Sequence, residues 1–362
     1  MSLFKKQIST LVETPRLVIN LHKIEHNTKV LVDRLNHLNI SVIGVTKVIQ
    51  SSQIMTDILI KAGVIGLGDS HIGNIELVNK EKNLIQTYLI RSPMLSQIKR
   101  VVLSKTISFN SEITIIKALS KIANKLNLIH EVVLMIELGD LREGILPENI
   151  LKVVKKVLTL PNIHIKGIGT NLMCLNGSTP DNMKMNQLSS IANSIEKSYN
   201  IKLDIISGGN SANLSWALNS KNNIGRINNL RLGEAIFLGI DPLDNTPIKG
   251  LYQDAIYLVA EVIESKLKTN LKGNHVYQSI LAFGNQDIVS NGIKCLSEYN
   301  IIGATSDHLV INSANKLIPV GTELHFVIDY NSLLRAMISP LVNKFFIPDD
   351  LSYGSSQNTC AN

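Results

Sequence analysis

The sequence predicts an α/β protein: a (β/α)8 TIM-like barrel with a C-terminal β-rich domain. Three observations predict it. From Ser41 onward about eight units of short strand and helix succeed one another, the number that closes a parallel barrel. The strand segments are apolar almost throughout, as in strands buried on both faces. After about residue 251 strand-like runs continue without long helices between them. A doubly wound open sheet is the alternative, since a count of units does not prove closure.

The first alternating segment, RLVINL at 16–21, reads as a strand. A helix follows over 24–38, with Ile24, Val30, Leu31 and Leu35 on one stripe. The repeating units then run as strand Ser41–Val45 and helix 54–62, strand 64–67 and helix 72–79, strand 87–90 and helix 95–103. Strand 106–109 and helix 112–126, strand 132–137 and helix 147–158, strand Ile163–Thr170 and helix 183–199 come next. Strand 203–207, a short helix over 212–218 and a last strand at 229–231 complete the set. Strands at 255–264, 275–283, 301–304, 308–312 and Glu323–Ile328 then read as an all-β domain. The division is a barrel over 22–250, a β-rich domain from 1–21 plus 251–346, and a polar, Ser- and Asn-rich tail at 347–362 expected to be disordered.

Composition narrows the classes. The chain has 362 residues, 44% hydrophobic and 18% charged, a globular balance. Three dispersed cysteines (Cys174, Cys295, Cys360) exclude a disulfide scaffold and a Cys-rich zinc site. Lys and Arg number 36 against 29 Asp and Glu, a net charge of +7. The basic residues are scattered along helical faces without aromatic interleaving, so no nucleic-acid surface is expected. The N-terminus has no apolar h-region, and no run of about 18 apolar residues suggests a membrane span. A soluble cytoplasmic protein is expected.

Barrel enzymes place their chemistry at the C-terminal ends of strands. The first barrel strand ends in GVTKV, which puts Lys47 there. A lysine at such a mouth is either an ordinary loop lysine or a desolvated amine suited to Schiff-base chemistry. ELGDLREG offers Glu137, Asp140, Arg142 and Glu143; GTNLMC offers Asn171 and Cys174. SGGNS, containing Ser207, Gly209, Asn210 and Ser211, is a Gly-rich turn between strand and helix. It suits a phosphate cradle and equally an ordinary tight turn. RLGE adds Arg231, Gly233 and Glu234 on the neighbouring strand, and two adjacent Gly turns fit the phosphate site common in barrels. A phosphate site opposite a strand-end lysine is the layout that pyridoxal 5'-phosphate (PLP) requires. IGLGDSHIG lacks dinucleotide-binding spacing, and His71, His275, His308 and His325 show no metal-ligand spacing.

These segments, together with RLVINLHKIEHN, NLRLGEAIFLG, ILAFGNQD, GATSDHLVIN and IDYNSLLR, resemble the alanine racemase family of fold-type III PLP enzymes over nearly the whole chain. Within the family the likeness is strongest to members acting on ornithine. The resemblance implies a PLP-carrying barrel and assigns 16–21 to the sheet of the C-terminal domain. It also implies a homodimer whose active sites combine one subunit's barrel with its partner's β domain. Lys47 matches the lysine that bonds the cofactor. Arg231 matches the arginine facing the pyridine nitrogen, where a permanent cation weakens the electron sink and favours racemisation over transamination. Arg142 matches the arginine at the cofactor oxygen and substrate carboxylate. Ser207, Gly209, Asn210, Ser211, Gly233 and Glu234 match the phosphate region, with Tyr330 as a hydroxyl partner. Asn171 stands where alanine racemases carry a histidine supporting the ring-facing arginine.

Two departures bear on the chemistry. The family's GYADG, whose tyrosine is the second base, is FGNQD here (283–287), and the tyrosine following the cofactor lysine is replaced near Ser51. Racemisation needs proton exchange on both faces of the α-carbon. Lys47 serves one; Cys174, Asp307 and His308 are the candidates for the other, histidine having the best-matched intrinsic pKa. For a distal ammonium on a basic substrate, Asp140, Glu143 and Asp287 are the candidate carboxylates. The expected activity is interconversion of L- and D-amino acids, of ornithine or a similar basic type, by α-proton abstraction. A non-catalytic PLP-binding protein and a basic amino-acid decarboxylase of the same fold type are the alternatives.

Overall fold

The structure, a computed structural model, describes residues 13–81, 85–219, 224–269, 273–297, 299–313 and 316–347. The chain divides into two compact units, one of Glu25–Gln253 and one of Met1–Ile24 with Asp254–Asn362; the first boundary falls inside helix Leu21–Asn36.

In the first unit eight parallel strands close a barrel in chain order. They are β2 (Ser41–Val45), β3 (Gly66–Asp69), β4 (Gln86–Leu89), β5 (Ile107–Asn110), β6 (His130–Ile136), β7 (Ile163–Thr170), β8 (Ile205–Gly209) and β9 (Asn229–Leu232). β9 returns to β2 with Ile43 opposite Arg231 and Gly44 opposite Leu232, so an open sheet is excluded. Alternation along each strand builds two cores. Ile43, Tyr88, Ile107, Phe109, Val133, Met135 and Ile205 form the inner one. Val132, Leu134, Ile136, Ile168 and Ile206 join helix residues such as Leu119, Val154, Val157 and Ile195 in the outer one. The inner space is tight: a Cβ at Gly66 would lie 2.5 Å from both Gln86 O and the Tyr88 ring. This explains why the second barrel strand is Gly66–Asp69 rather than the expected 64–67. Glycine has low strand propensity, yet it is the residue that leaves room for Tyr88.

The helices lie in the expected order with sharper starts. Helices Ile98–Leu103, Ile150–Leu158 and Leu214–Asn219 are each preceded by one 3-10 turn, at Leu95–Gln97, Pro147–Asn149 and Ser211–Asn213. Helix Asn182–Tyr199 opens with the Asp181 carboxylate accepting the Lys184 N–H at 2.8 Å and closes at Asn200 in the left-handed region (φ 50°). A short helix, Glu234–Leu238, follows β9 directly.

The second unit is built on an eight-stranded sheet. Its strands are β1 (Arg16–Asn20), β10 (Ile256–Thr269), β11 (His275–Leu281), β12 (Ile293–Cys295), β13 (Asn300–Ala304), β14 (Leu309–Asn312), β15 (Glu323–Ile328) and β16 (Asn343–Ile347). β1 pairs antiparallel with β10 and parallel with β16. Arg16, buried, is held by a bidentate pair with Glu323 at 2.8 and 2.7 Å. The all-β reading is corrected by helix Tyr330–Ile338, capped by Asp329 accepting the Ser332 N–H at 2.7 Å. Leu333, Ala336 and Met337 turn that helix inward. Ile347, read from sequence as the start of the tail, ends β16; the rest of the tail lies outside the described residues.

Candidate active site

At the C-terminal end of the barrel, Lys47 follows Val45 by two residues and is half-buried. It opens a 3-10 turn, Lys47–Ile49. Two residues short of the strand's end, Ile43 belongs to the inner core and pairs with Arg231 on the adjacent strand.

Arg231 is 4% exposed. Its guanidinium donates to Ser207 Oγ at 2.5 Å, to the Thr170 carbonyl at 2.8 Å and to Asn171 Oδ1. It sits 5.0 Å from the centroid of the Phe109 ring. Every one of these partners is uncharged, so desolvation dominates and pushes the guanidinium down to about 10. The group therefore stays a cation at neutral pH, fixed in orientation on top of the inner core.

A polar chain leads outward from it. Asn171 Nδ2 donates to Glu143, and Glu143 takes both Nε and Nη2 of Arg142. Asn171 thus has both ends of its amide fixed, oxygen to Arg231 and nitrogen to Glu143. Arg142 Nε also lies 3.9 Å from the Asp140 carboxylate. Asp140 is buried, and its other oxygen accepts the backbone N–H groups of Cys174 (2.8 Å) and Leu175 (3.1 Å). Cys174 is exposed at the rim but low enough in the mouth that desolvation raises its thiol pKa, outweighing the pull of Arg142 and Arg231.

The Gly-rich turn divides into framework and cradle. Ser207 serves Arg231 and donates to Asn229 Oδ1 at 2.9 Å. The Asn210 amide caps the next turn through Ala212 N–H and donates to Leu172 O, and is 3.2 Å from Cys174 Sγ. Gly209 (φ 143°) faces the Asn213 amide, which a Cβ would meet at 2.1 Å. Ser211 Oγ is the point on which the N–H groups of Gly233 (3.4 Å) and Ala235 (3.3 Å) converge. These long bonds, from the start of helix Glu234–Leu238, suit a stronger acceptor such as a phosphate oxygen. Glu234 itself heads that helix. Convergent amides, a strand-end lysine and a buried cation together fit an anionic, ring-bearing cofactor. Beside Gly233 and Glu234, the Ala235 N–H, which the motif reading did not single out, also reaches Ser211 Oγ.

The remaining candidates lie in the other unit. The turns Phe283–Asp287 and Thr305–His308 are joined backbone to backbone, Asn285 N–H to Thr305 O at 2.8 Å and Gln286 N–H to Ser306 O at 2.9 Å. Gly284 permits this approach, since a Cβ there would lie 2.5 Å from the Asp307 nitrogen. Asp307 is exposed, and the Ser306 hydroxyl and His308 hold its carboxyl below the usual range. His308 Nδ1 is 3.3 Å from that carboxylate. Asp287, by contrast, is buried and spends its carboxylate on Gly284 N–H and Ser339 Oγ, which ties the turn to the unit's own core. Tyr330 is half-buried at the first position of its helix.

The model of the alanine racemase N-terminal domain matches residues 19–241. A lysine racemase of Thermotoga maritima is 33% identical, the match covering 92% of this chain and 99% of that one. An ornithine racemase of Acetoanaerobium sticklandii is 31% identical over 91% of this chain and 99% of that one. Among solved structures, an alanine racemase from Streptomyces coelicolor superposes with a TM-score of 0.75 at 14% identity, covering 92% of this chain and 97% of that one. The chain belongs to the alanine racemase family, and it is an enzyme of the amino-acid racemase class.

Proposed function

We propose that the chain is a PLP-dependent racemase that interconverts the L- and D-forms of a basic amino acid of the ornithine or lysine type. The observation that carries the reading is that half-buried Lys47 follows the end of β2 by two residues while buried, hydrogen-bonded Arg231 lies on the neighbouring strand β9. When bound, PLP supplies an electron sink for the charge left on the substrate α-carbon. Lys47 anchors the cofactor, and its amine then moves the α-proton on one face. Arg231, a buried cation, would face the ring nitrogen of the bound cofactor and disfavour its protonation. Ser211 and the amides of Gly233 and Ala235 hold the phosphate, with the Tyr330 hydroxyl of a second copy beside it. Arg142, its Nε and Nη2 oriented by Glu143, has its remaining Nη1 to offer the substrate carboxylate.

For the opposite face the reading assigns His308 of a second copy, its tautomer set by Asp307. Cys174, its thiol pKa raised by desolvation, is held more as the thiol and is less available as a base. The substrate class rests on the two relatives, named for lysine and ornithine. The active form is a homodimer in this reading. The likeness to full-length racemases over both units weighs against a non-catalytic PLP carrier, and no relative named here is a decarboxylase.

The test is borohydride reduction of the yellow holoenzyme followed by peptide mass mapping. PLP fixed on Lys47, and loss of fixation and racemisation in Lys47→Ala, are expected. Fixation at another lysine, or full activity in Lys47→Ala, overturns the proposal.

A further inference from the structure

Asp69 ends β3 as a fully buried carboxylate that the proposed chemistry does not use. Its Oδ2 accepts the Thr46 hydroxyl at 2.9 Å and the Asn74 amide at 3.2 Å, and Ser51 Oγ lies 3.5 Å from it. Its Oδ1 accepts the His71 backbone N–H at 2.9 Å. Thr46 is also fully buried, directly precedes Lys47, and donates its own N–H to Gly68 O at 2.8 Å.

The segment that Asp69 grips is strained. After the 3-10 turn at Lys47–Ile49, Gln50 (φ 51°) and Ser51 (φ 52°) are two successive non-glycine residues in the left-handed region. L-residues disfavour that conformation, and it persists only where surroundings over-determine it. Here both ends of the strained stretch, Thr46 and Ser51, reach the same carboxylate oxygen. A buried carboxylate needs several donors to be tolerated, and this one obtains them from the lysine loop on Oδ2 and from the start of helix Ile72–Glu81 on both oxygens. The clamp therefore ties the exit of the first barrel strand to the exit of the second.

We propose that Asp69 is a positioning residue for Lys47: through Thr46 it holds the strained 46–51 loop so that the lysine amine keeps one place at the barrel mouth. The inference rests on the reading that Lys47 carries the cofactor. The alternative role, holding the start of helix Ile72–Glu81 alone, uses the His71 N–H on Oδ1 and the Asn74 amide on Oδ2.

Thr46→Val separates the two, because it removes the loop's bond to Oδ2 and leaves the helix start untouched. Asp69→Asn perturbs both, and Thr46→Ser keeps the hydroxyl. Holoenzymes of wild type and variants are compared by amide hydrogen exchange of the 46–52 peptide and by kcat and KM for the amino acid. Exchange in 46–52 is expected to quicken at least tenfold in Thr46→Val and Asp69→Asn, with kcat reduced about tenfold and KM little changed. Thr46→Ser restores both, and the Thr46→Val/Asp69→Asn pair is no worse than either alone. Unchanged exchange at 46–52 in Thr46→Val, or a Thr46→Ser that behaves like it, overturns the proposal. If Asp69→Asn does not fold, the Val and Ser pair at Thr46 decides it alone. Failure of the Lys47 reading shows separately: in wild type, borohydride then fixes PLP at a different lysine, which removes this role for Asp69 whatever the exchange rates.

Discussion

His130 opens β6 and is 2% exposed. Its Nε2 lies 2.7 Å from Ser108 Oγ, which in turn accepts the Asn110 amide at 2.8 Å. Desolvation pushes the imidazole pKa down from 6.5 to about 4, against a smaller upward pull from Glu131. The unfolded chain therefore binds a proton that the folded chain refuses, and stability falls as pH drops from about 6.5 toward about 4. At about 1.4 kcal/mol per tenfold, the loss is about 2 kcal/mol by pH ~5 and on the order of 3 kcal/mol below pH ~4. The assay is guanidinium unfolding followed by the fluorescence of Trp216, the single tryptophan, carried by barrel helix Leu214–Asn219. Wild type and His130→Gln are compared at about pH 7.5 and about pH 5, where the variant should lose about 2 kcal/mol less than wild type. Equal losses would refute the burial of a neutral imidazole.

Two further changes probe the two units. Gly66→Ala places a Cβ 2.5 Å from Gln86 O, a backbone atom unable to move aside cheaply. It should destabilise the barrel by about 1–3 kcal/mol, read as an earlier Trp216 unfolding midpoint; an unchanged midpoint contradicts the packing. Glu323→Gln leaves the Arg16 guanidinium buried without its carboxylate, at a cost of about 3 kcal/mol. Faster amide exchange in β1, β10 and β15 checks it, and unaltered exchange there shows that the ion pair carries no stability.

The barrel was legible in the strand runs: Ser41–Val45 and Ile163–Thr170 coincide with the segments expected. It was shifted where packing overruled propensity, as at Gly66–Asp69. Helix Tyr330–Ile338 was missed because its surroundings read as strands, although Asp329 with an N–H acceptor role three residues on is a start signal. β16 was missed because its partner β1 lies more than 300 residues away, a pairing that no local pattern reports. At the mouth, strand-end position identified Lys47, Arg142, Asn171 and Arg231 as polar points on apolar strands. The links between them were invisible: the Glu143 bond to Asn171 and the Asp69 bond to Thr46 join different strand ends. Asp287 and Asp140 were candidates for a distal ammonium or for structural roles, and no sequence pattern reports that Asp287 Oδ2 accepts the Gly284 N–H and Asp140 Oδ1 those of Cys174 and Leu175.

The most direct measurement is α-proton exchange in D2O, followed by NMR, with L-ornithine and L-lysine on the PLP-loaded wild type and Lys47→Ala. The account predicts loss of the α-proton signal with accumulation of the D-enantiomer in wild type, and neither in the variant. Absence of exchange with both substrates, or exchange that survives in Lys47→Ala, would contradict it.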